Sequence, residues 1–185
     1  LIPDEMEEKK QWIVWTSENK KKPFAPWTGR NHPIDPLDSD NWTSFRKALK
    51  FVRHGDYDGL GFVFTVDDDF VGFDLDDGVE DIEINGESVR VETDEVHGKV
   101  LTALDSFTEV SQSGNGLHVI VKGDLDEYGG QVTDKDVEIE IYDRGRFFCM
   151  TGKVVTEYDM SVNDAQRDID NIVEAFVSED KIDSS

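Results

Sequence analysis

The stretch Phe70-Val71-Gly72-Phe73-Asp74-Leu75-Asp76-Asp77 reads as an apolar strand that ends in two carboxylates two residues apart. Strand side chains alternate, so Asp74 and Asp76 share one face and Phe73 and Leu75 the other. Like charges at that spacing repel, and carboxylates are poor strand formers. A divalent cation relieves the repulsion, because magnesium takes oxygen ligands and completes its octahedron with water and substrate phosphates. The bland alternative is two more surface acids in an acid-rich chain, as Asp67, Asp68 and Asp69 plainly are.

Working outward from this strand, which covers 70–76, apolar or alternating runs predict further strands at 11–15, 60–65, 108–111, 117–122, 137–142 and 146–151. Phe45, Ala48, Leu49 and Val52 recur at helical spacing, with Asp40 available as a cap and Gly55 just past the end. A second helix falls within 93–104, with Val96, Val100, Leu101 and Leu104 inward. A third spans about 163–177, with Ile169, Ile172, Val173 and Phe176 inward. Hairpin-like neighbouring strands interspersed with helices argue an α+β fold rather than a doubly wound parallel sheet.

Two further patterns carry chemistry. Ser111-Gln112-Ser113-Gly114-Asn115-Gly116-Leu117-His118 is a glycine-rich turn that delivers a histidine onto the following strand. Glycines allow close backbone approach, and turn amides can cradle an anion, so that His118 could hold a phosphate. An ordinary hairpin turn explains the same residues. Val137-Glu138-Ile139-Glu140-Ile141-Tyr142 puts Glu138 and Glu140 on one strand face, and Arg146-Phe147-Phe148-Cys149-Met150-Thr151-Gly152 follows.

In that order, Asp-x-Asp, Ser-Gly-x-Gly-x-His, and Glu-Ile-Tyr followed by Arg-Phe-Phe and Thr-Gly resemble the three catalytic motifs of the archaeo-eukaryotic primase superfamily, most of all its phage and plasmid primase-polymerases. Trp12-Ile13-Val14-Trp15, Lys21-Lys22-Pro23-Phe24-Ala25-Pro26, Asp40-Asn41-Trp42 and Gly59-Leu60-Gly61-Phe62-Val63-Phe64 extend the likeness over residues 10–155. The resemblance implies an RRM-like catalytic core of mixed or antiparallel sheets flanked by helices, covering 1–178, before a polar tail at 179–185. It implies two Mg²⁺ or Mn²⁺ ions held by Asp74, Asp76 and Glu140, with Glu138 open as the alternative third ligand. His118, Ser113, Gly114, Gly116 and, more weakly, Arg146 would bind the incoming nucleoside triphosphate. The partners implied are a DNA template and primer, and a helicase domain in the parent polypeptide.

Composition bounds this reading. The one cysteine, Cys149, excludes an internal disulfide and any site of paired cysteines, and the histidines at 32, 54, 97 and 118 include no adjacent pair of the kind replication-initiator nucleases use. No run approaches eighteen apolar residues, and the acidic start does not read as a signal peptide, so a cytoplasmic protein without a membrane partner is expected. Opening on Leu1 rather than methionine reads as a domain of a longer chain. Net charge is −23, with ten Lys/Arg against eight Asp/Glu in 1–53 but nine against thirty-four in 54–185. Such acidity argues against a nucleic-acid partner at ordinary salt. At molar salt the Debye length shrinks to about 3 Å and the objection falls away, which points to a halophilic, haloarchaeal source. The near-neutral first third, with Lys20, Lys21, Lys22, Arg30, Trp15 and Trp27, is the candidate template surface, although Trp12 and Trp15 read equally well as core. The rival readings are a metal-dependent nuclease and a non-catalytic acidic interaction domain.

Overall fold

In the computed structural model, residues 1–18, 21–77, 79–84, 87–92 and 94–176 are described, those at 79–84, 87–92 and 176 by backbone alone. In chain order the strands are β1 (Trp12–Thr16), β2 (Lys22–Phe24), β3 (Gly59–Val63), β4 (Phe70–Leu75), β5 (Val79–Ile84), β6 (Glu87–Glu92), β7 (Thr108–Val110), β8 (Leu117–Lys122), β9 (Gln131–Asp134), β10 (Ile139–Tyr142) and β11 (Phe147–Met150). The helices are α1 (Asp4–Glu7), α2 (Phe45–Arg53), α3 (Glu95–Leu104) and α4 (Gln166–Phe176). The strands form a four-stranded sheet of order β11-β3-β1-β2, a five-stranded sheet of order β7-β8-β4-β10-β9 and the hairpin β5-β6. Neighbouring strands pair antiparallel throughout, so the fold is α+β as expected.

Alternation divides the five-stranded sheet between two cores. Val71, Phe73, Leu75, Leu117, Val119, Val121, Ile139 and Ile141 face α3 and α4, where Val100, Leu101, Leu104, Ile169, Ile172 and Val173 close over them. The other face carries Phe70, Ile120 and Tyr142, which join Trp12, Phe62 and Phe148 of the four-stranded sheet, Phe64 just past β3, and Phe45 and Ala48 of α2. Gly72 makes this junction possible: a Cβ there would stand 2.5 Å from Phe64 Cζ and 2.6 Å from Phe148 Cε2. The sheets therefore lock ring to backbone at Gly72, one step from Asp74 along that face of β4.

Several local expectations change. Asp40 lies in the 3₁₀ turn Ser39–Asn41, and the residue capping α2 is Ser44, next to the first helical residue, whose hydroxyl accepts from Lys47 N. Gly55 does end the helix, at φ +78°. The strand expected over 70–76 stops at Leu75, and Asp77 turns the chain at φ +58°. The run at 137–142 is a strand only from Ile139, because Glu138 has φ +54°; Glu138 and Glu140 therefore do not share a strand face. Asp94 caps α3 through Val96 N and His97 N, and the inward residues include His97 while Val96 is only half buried. The side chain of Phe176, Lys20, and the tail at 179–185 lie outside the described residues. Among the described residues no helix is long and apolar enough to cross a membrane.

Candidate functional site

The pairing register writes the site. On β4, Asp74 stands opposite His118 of β8 on one side and Glu140 of β10 on the other. One strand further out on each side, Glu109 of β7 faces His118, and Thr133 of β9 faces Glu140. Directly opposed residues on antiparallel strands share a face, so Glu109, His118, Asp74, Glu140 and Thr133 form one polar row across the sheet. Its neighbours on that face are the aromatic junction described above.

His118 is 5 % exposed, and its ring stacks on Phe148 at 4.6 Å between centroids. Nδ1 lies 3.1 Å from Glu109 Oε1, and Nε2 lies 3.7 Å from Asp74 Oδ1. Glu109 has no exposed surface; its oxygens also accept from Gly152 N at 2.8 Å and from Thr151 N at 3.1 Å. A carboxylate surrounded by amide donors accepts from the imidazole too, so Nδ1 donates to Glu109 and Nε2 is the nitrogen turned toward Asp74. Sequence reading passed over Glu109, since Thr108-Glu109-Val110 looks like a half-exposed strand; its burial comes from the end of β11 folding across it.

Burial pushes the Asp74 carboxyl above the ordinary aspartate range. His118 offsets this in part, while the charges of Asp76 and Glu140 push it further up. Asp76 sits just beyond the strand, exposed, its amide donating to the carbonyl of Glu138 at 3.0 Å. Glu140 Oε2 accepts from the Tyr142 hydroxyl at 2.7 Å and lies 3.7 Å from Arg146, whose guanidinium stands over the Tyr142 ring. Burial and this bond to Glu140 raise the Tyr142 phenol to about 12. Asp76, Glu138 and Glu140 line one hollow of about 400 Å³ with Ser113, Asn115 and Lys135.

The glycine turn behaves chiefly as a turn. Gly114 N donates to Ser111 O and Asn115 N to Ser113 Oγ, so these amides are engaged internally. A Cβ on Gly116 would meet Leu75 O at 2.4 Å, so this glycine lets the turn close on the end of β4. Ser113 reaches the hollow, and Arg146 is held at Glu140 rather than over the turn.

Among the described residues no three His, Cys, Asp or Glu side chains are already gathered to enclose a metal ion. Glu140 is turned onto Tyr142 and Asp74 onto His118. The donor chemistry nonetheless fits a hard divalent cation: all three predicted ligands are carboxylates, and Asp74 bears the electrostatic cost of its two acidic neighbours that a cation would relieve.

Trp15, a candidate for stacking bases, is instead core: it is 5 % exposed, donates to Leu60 O at 3.0 Å and lies flat over Gly59. Arg30 is engaged by the Asp56 carbonyl at 2.6 Å and by Asp58 and Glu18. Trp27 is 50 % exposed, with Lys47 over its ring at 4.6 Å.

The chain is thus an α+β domain that sets a carboxylate–imidazole row on an antiparallel sheet. No protein-family model matches the chain. It is similar to the DNA primase-polymerase of Nitratiruptor phage NrS-1, 36% identical over 163 residues, which cover 82% of this chain. The chain spans 21% of that relative's length. The similarity gives no support to the helicase expected in the parent polypeptide.

Proposed function

We propose that residues 1–178 form the catalytic domain of a DNA primase-polymerase, which synthesises or extends primers on a DNA template by nucleotidyl transfer. The observation that carries this reading is the register that sets His118, Asp74 and Glu140 side by side on one sheet face, with Asp76 at the strand end; the likeness to a primase-polymerase agrees with it.

Asp74, Asp76 and Glu140 would hold the divalent cations, Mg²⁺ or Mn²⁺; Glu138 lines the hollow that Asp76 and Glu140 share. When bound, such ions activate the attacking 3′-oxygen and stabilise the departing pyrophosphate. The chain's own residues position and neutralise. His118, fixed by Glu109 and Phe148, would donate from Nε2–H to the triphosphate, and Ser113 would offer a hydroxyl at the edge. Arg146, 3.7 Å from Glu140, would help neutralise that carboxylate. The acidity of residues 54–185 fits a salt-accumulating source, in which diffuse repulsion from DNA is screened.

Primer extension with labelled deoxynucleotides tests the assignment. Asp74→Asn should lower the rate by about 10³-fold or more, the scale of losing a group that stabilises transition-state charge, with the thermal melt retained. Glu140→Gln should do the same, and Glu138→Gln should cost much less. The reverse order between the two glutamates would move the third ligand to Glu138. Full activity in Asp74→Asn would reject the site.

A further inference from the structure

Helix α2 reads Phe45-Arg46-Lys47-Ala48-Leu49-Lys50-Phe51-Val52-Arg53, four cations and no acid in a chain of net charge −23. At 100° per residue Arg46, Lys50 and Arg53 fall on one stripe, opposite Ala48 in the core. All three are exposed and, among the described residues, make no ion pair. Several other cations are neutralised: Arg30 by Asp58 and Glu18, Lys99 by Glu95, Lys122 by Glu5, Arg144 by Asp126 and Asp143. Where acids outnumber bases by 42 to 19, a helix face of unpaired cations is the molecule's most distinct attractor for an outside polyanion.

The stripe is a ridge between two hollows. One, of about 810 Å³, is lined by Arg46, Lys50, Arg53 and His54 over an apolar floor that includes Leu49 and Met150. The other, of about 590 Å³, holds the exposed Trp27 beside Phe51 and Tyr57. Cations along a track with an aromatic face beside them are what a single strand of nucleic acid uses: phosphates meet the charges and a base stacks on the ring. An acidic peptide would use the ridge but has no need of Trp27. The first hollow is also walled by Thr151 and Gly152, whose amides donate to Glu109 of the polar row.

We infer that the α2 ridge, with Arg46, Lys50 and Arg53 on the phosphates and Trp27 under a base, is a docking surface for single-stranded DNA. The choice of DNA rests on the proposed function, but docking itself needs neither metal nor nucleotide. The test is fluorescence anisotropy of a labelled oligo(dT) from 0.1 to 1 M KCl, with melts of every variant. Arg46→Glu/Lys50→Glu/Arg53→Glu should weaken binding at least about tenfold at 0.1 M and flatten the log–log salt slope by about 2, near 0.7 for each lost contact. Arg46→Gln/Lys50→Gln/Arg53→Gln should flatten it likewise and serves if charge reversal lowers the melting temperature. Trp27→Ala should cost about 5- to 150-fold at every salt. Asp74→Asn should bind like the wild type while failing to extend primers. A ridge variant that folds and binds oligo(dT) with unchanged affinity and slope overturns the inference, as does a wild type that does not bind. Loss of binding in the ridge variant with an inactive wild type leaves the ridge standing and removes the catalytic reading instead.

Discussion

Glu109 shows what a single residue contributes beyond its own chemistry. One buried carboxylate ties β7 to the end of β11 through two amides and orients the His118 ring through a third bond. Glu109→Gln keeps the shape but replaces one acceptor oxygen with a donor facing amides, which should cost about 1–3 kcal/mol of stability. It should also raise the nucleotide KM roughly tenfold, as losing the partner that orients a functional histidine does elsewhere. Glu109→Asp should recover part of the KM; a variant that loses only stability would make Glu109 purely structural. Asp74, Asp76 and His118 were legible because a strand ending in acids and a glycine turn ending in histidine break the ordinary pattern. Glu109 broke no pattern, and Trp15 looked available only because sequence does not show that Gly59 leaves space for its indole. Cys149 is buried, which pushes its thiol up to about 12, so it should resist alkylation until the protein unfolds.

At the scale of elements, most strands that alternate or run apolar were readable from local sequence, and so were the three longer helices. β2, β5, β6 and β9 were not: the three- and four-residue edge strands β2 and β9 are set by their partners rather than by their own composition, and the alternation of the β5-β6 hairpin is carried by few apolar residues among many acids. The same holds for the break before Ile139: nothing in Val137-Glu138-Ile139-Glu140 forecasts a left-handed residue at Glu138. That break separates the two glutamates and decides which of them stands in register with Asp74. Gly72 is the matching device between sheets. Gly72→Ala should displace the Phe64 and Phe148 rings and cost about 1–3 kcal/mol by overpacking. Because Phe148 carries the His118 ring, activity should fall along with stability. A Gly72→Ala variant that melts like the wild type would show that the sheets can shift apart without strain.

For the whole molecule, charge sets the conditions of work. With thirty-four acids against nine bases in 54–185, screening should relieve self-repulsion, so the melting temperature should climb between 0.1 and 3 M KCl, by about 2–4 °C for each kcal/mol recovered. A melting temperature indifferent to KCl would reject the halophilic reading. Net DNA affinity should weaken less steeply with salt than for a uniformly basic binder, which loses about 10³–10⁵ between 50 and 200 mM, because the α2 ridge releases few counterions while the acidic surface of 54–185 repels. The central claim, that the row from Glu109 to Glu140 serves nucleotidyl transfer, is tested most directly by counting products. A primed template, deoxynucleotides and Mg²⁺ or Mn²⁺ are incubated in high KCl, and pyrophosphate released is compared with nucleotides incorporated. One pyrophosphate per nucleotide added, abolished in Asp74→Asn, is the predicted result. Shortened DNA without pyrophosphate would make the protein a nuclease, and unchanged DNA with no pyrophosphate a binding module; either would contradict it.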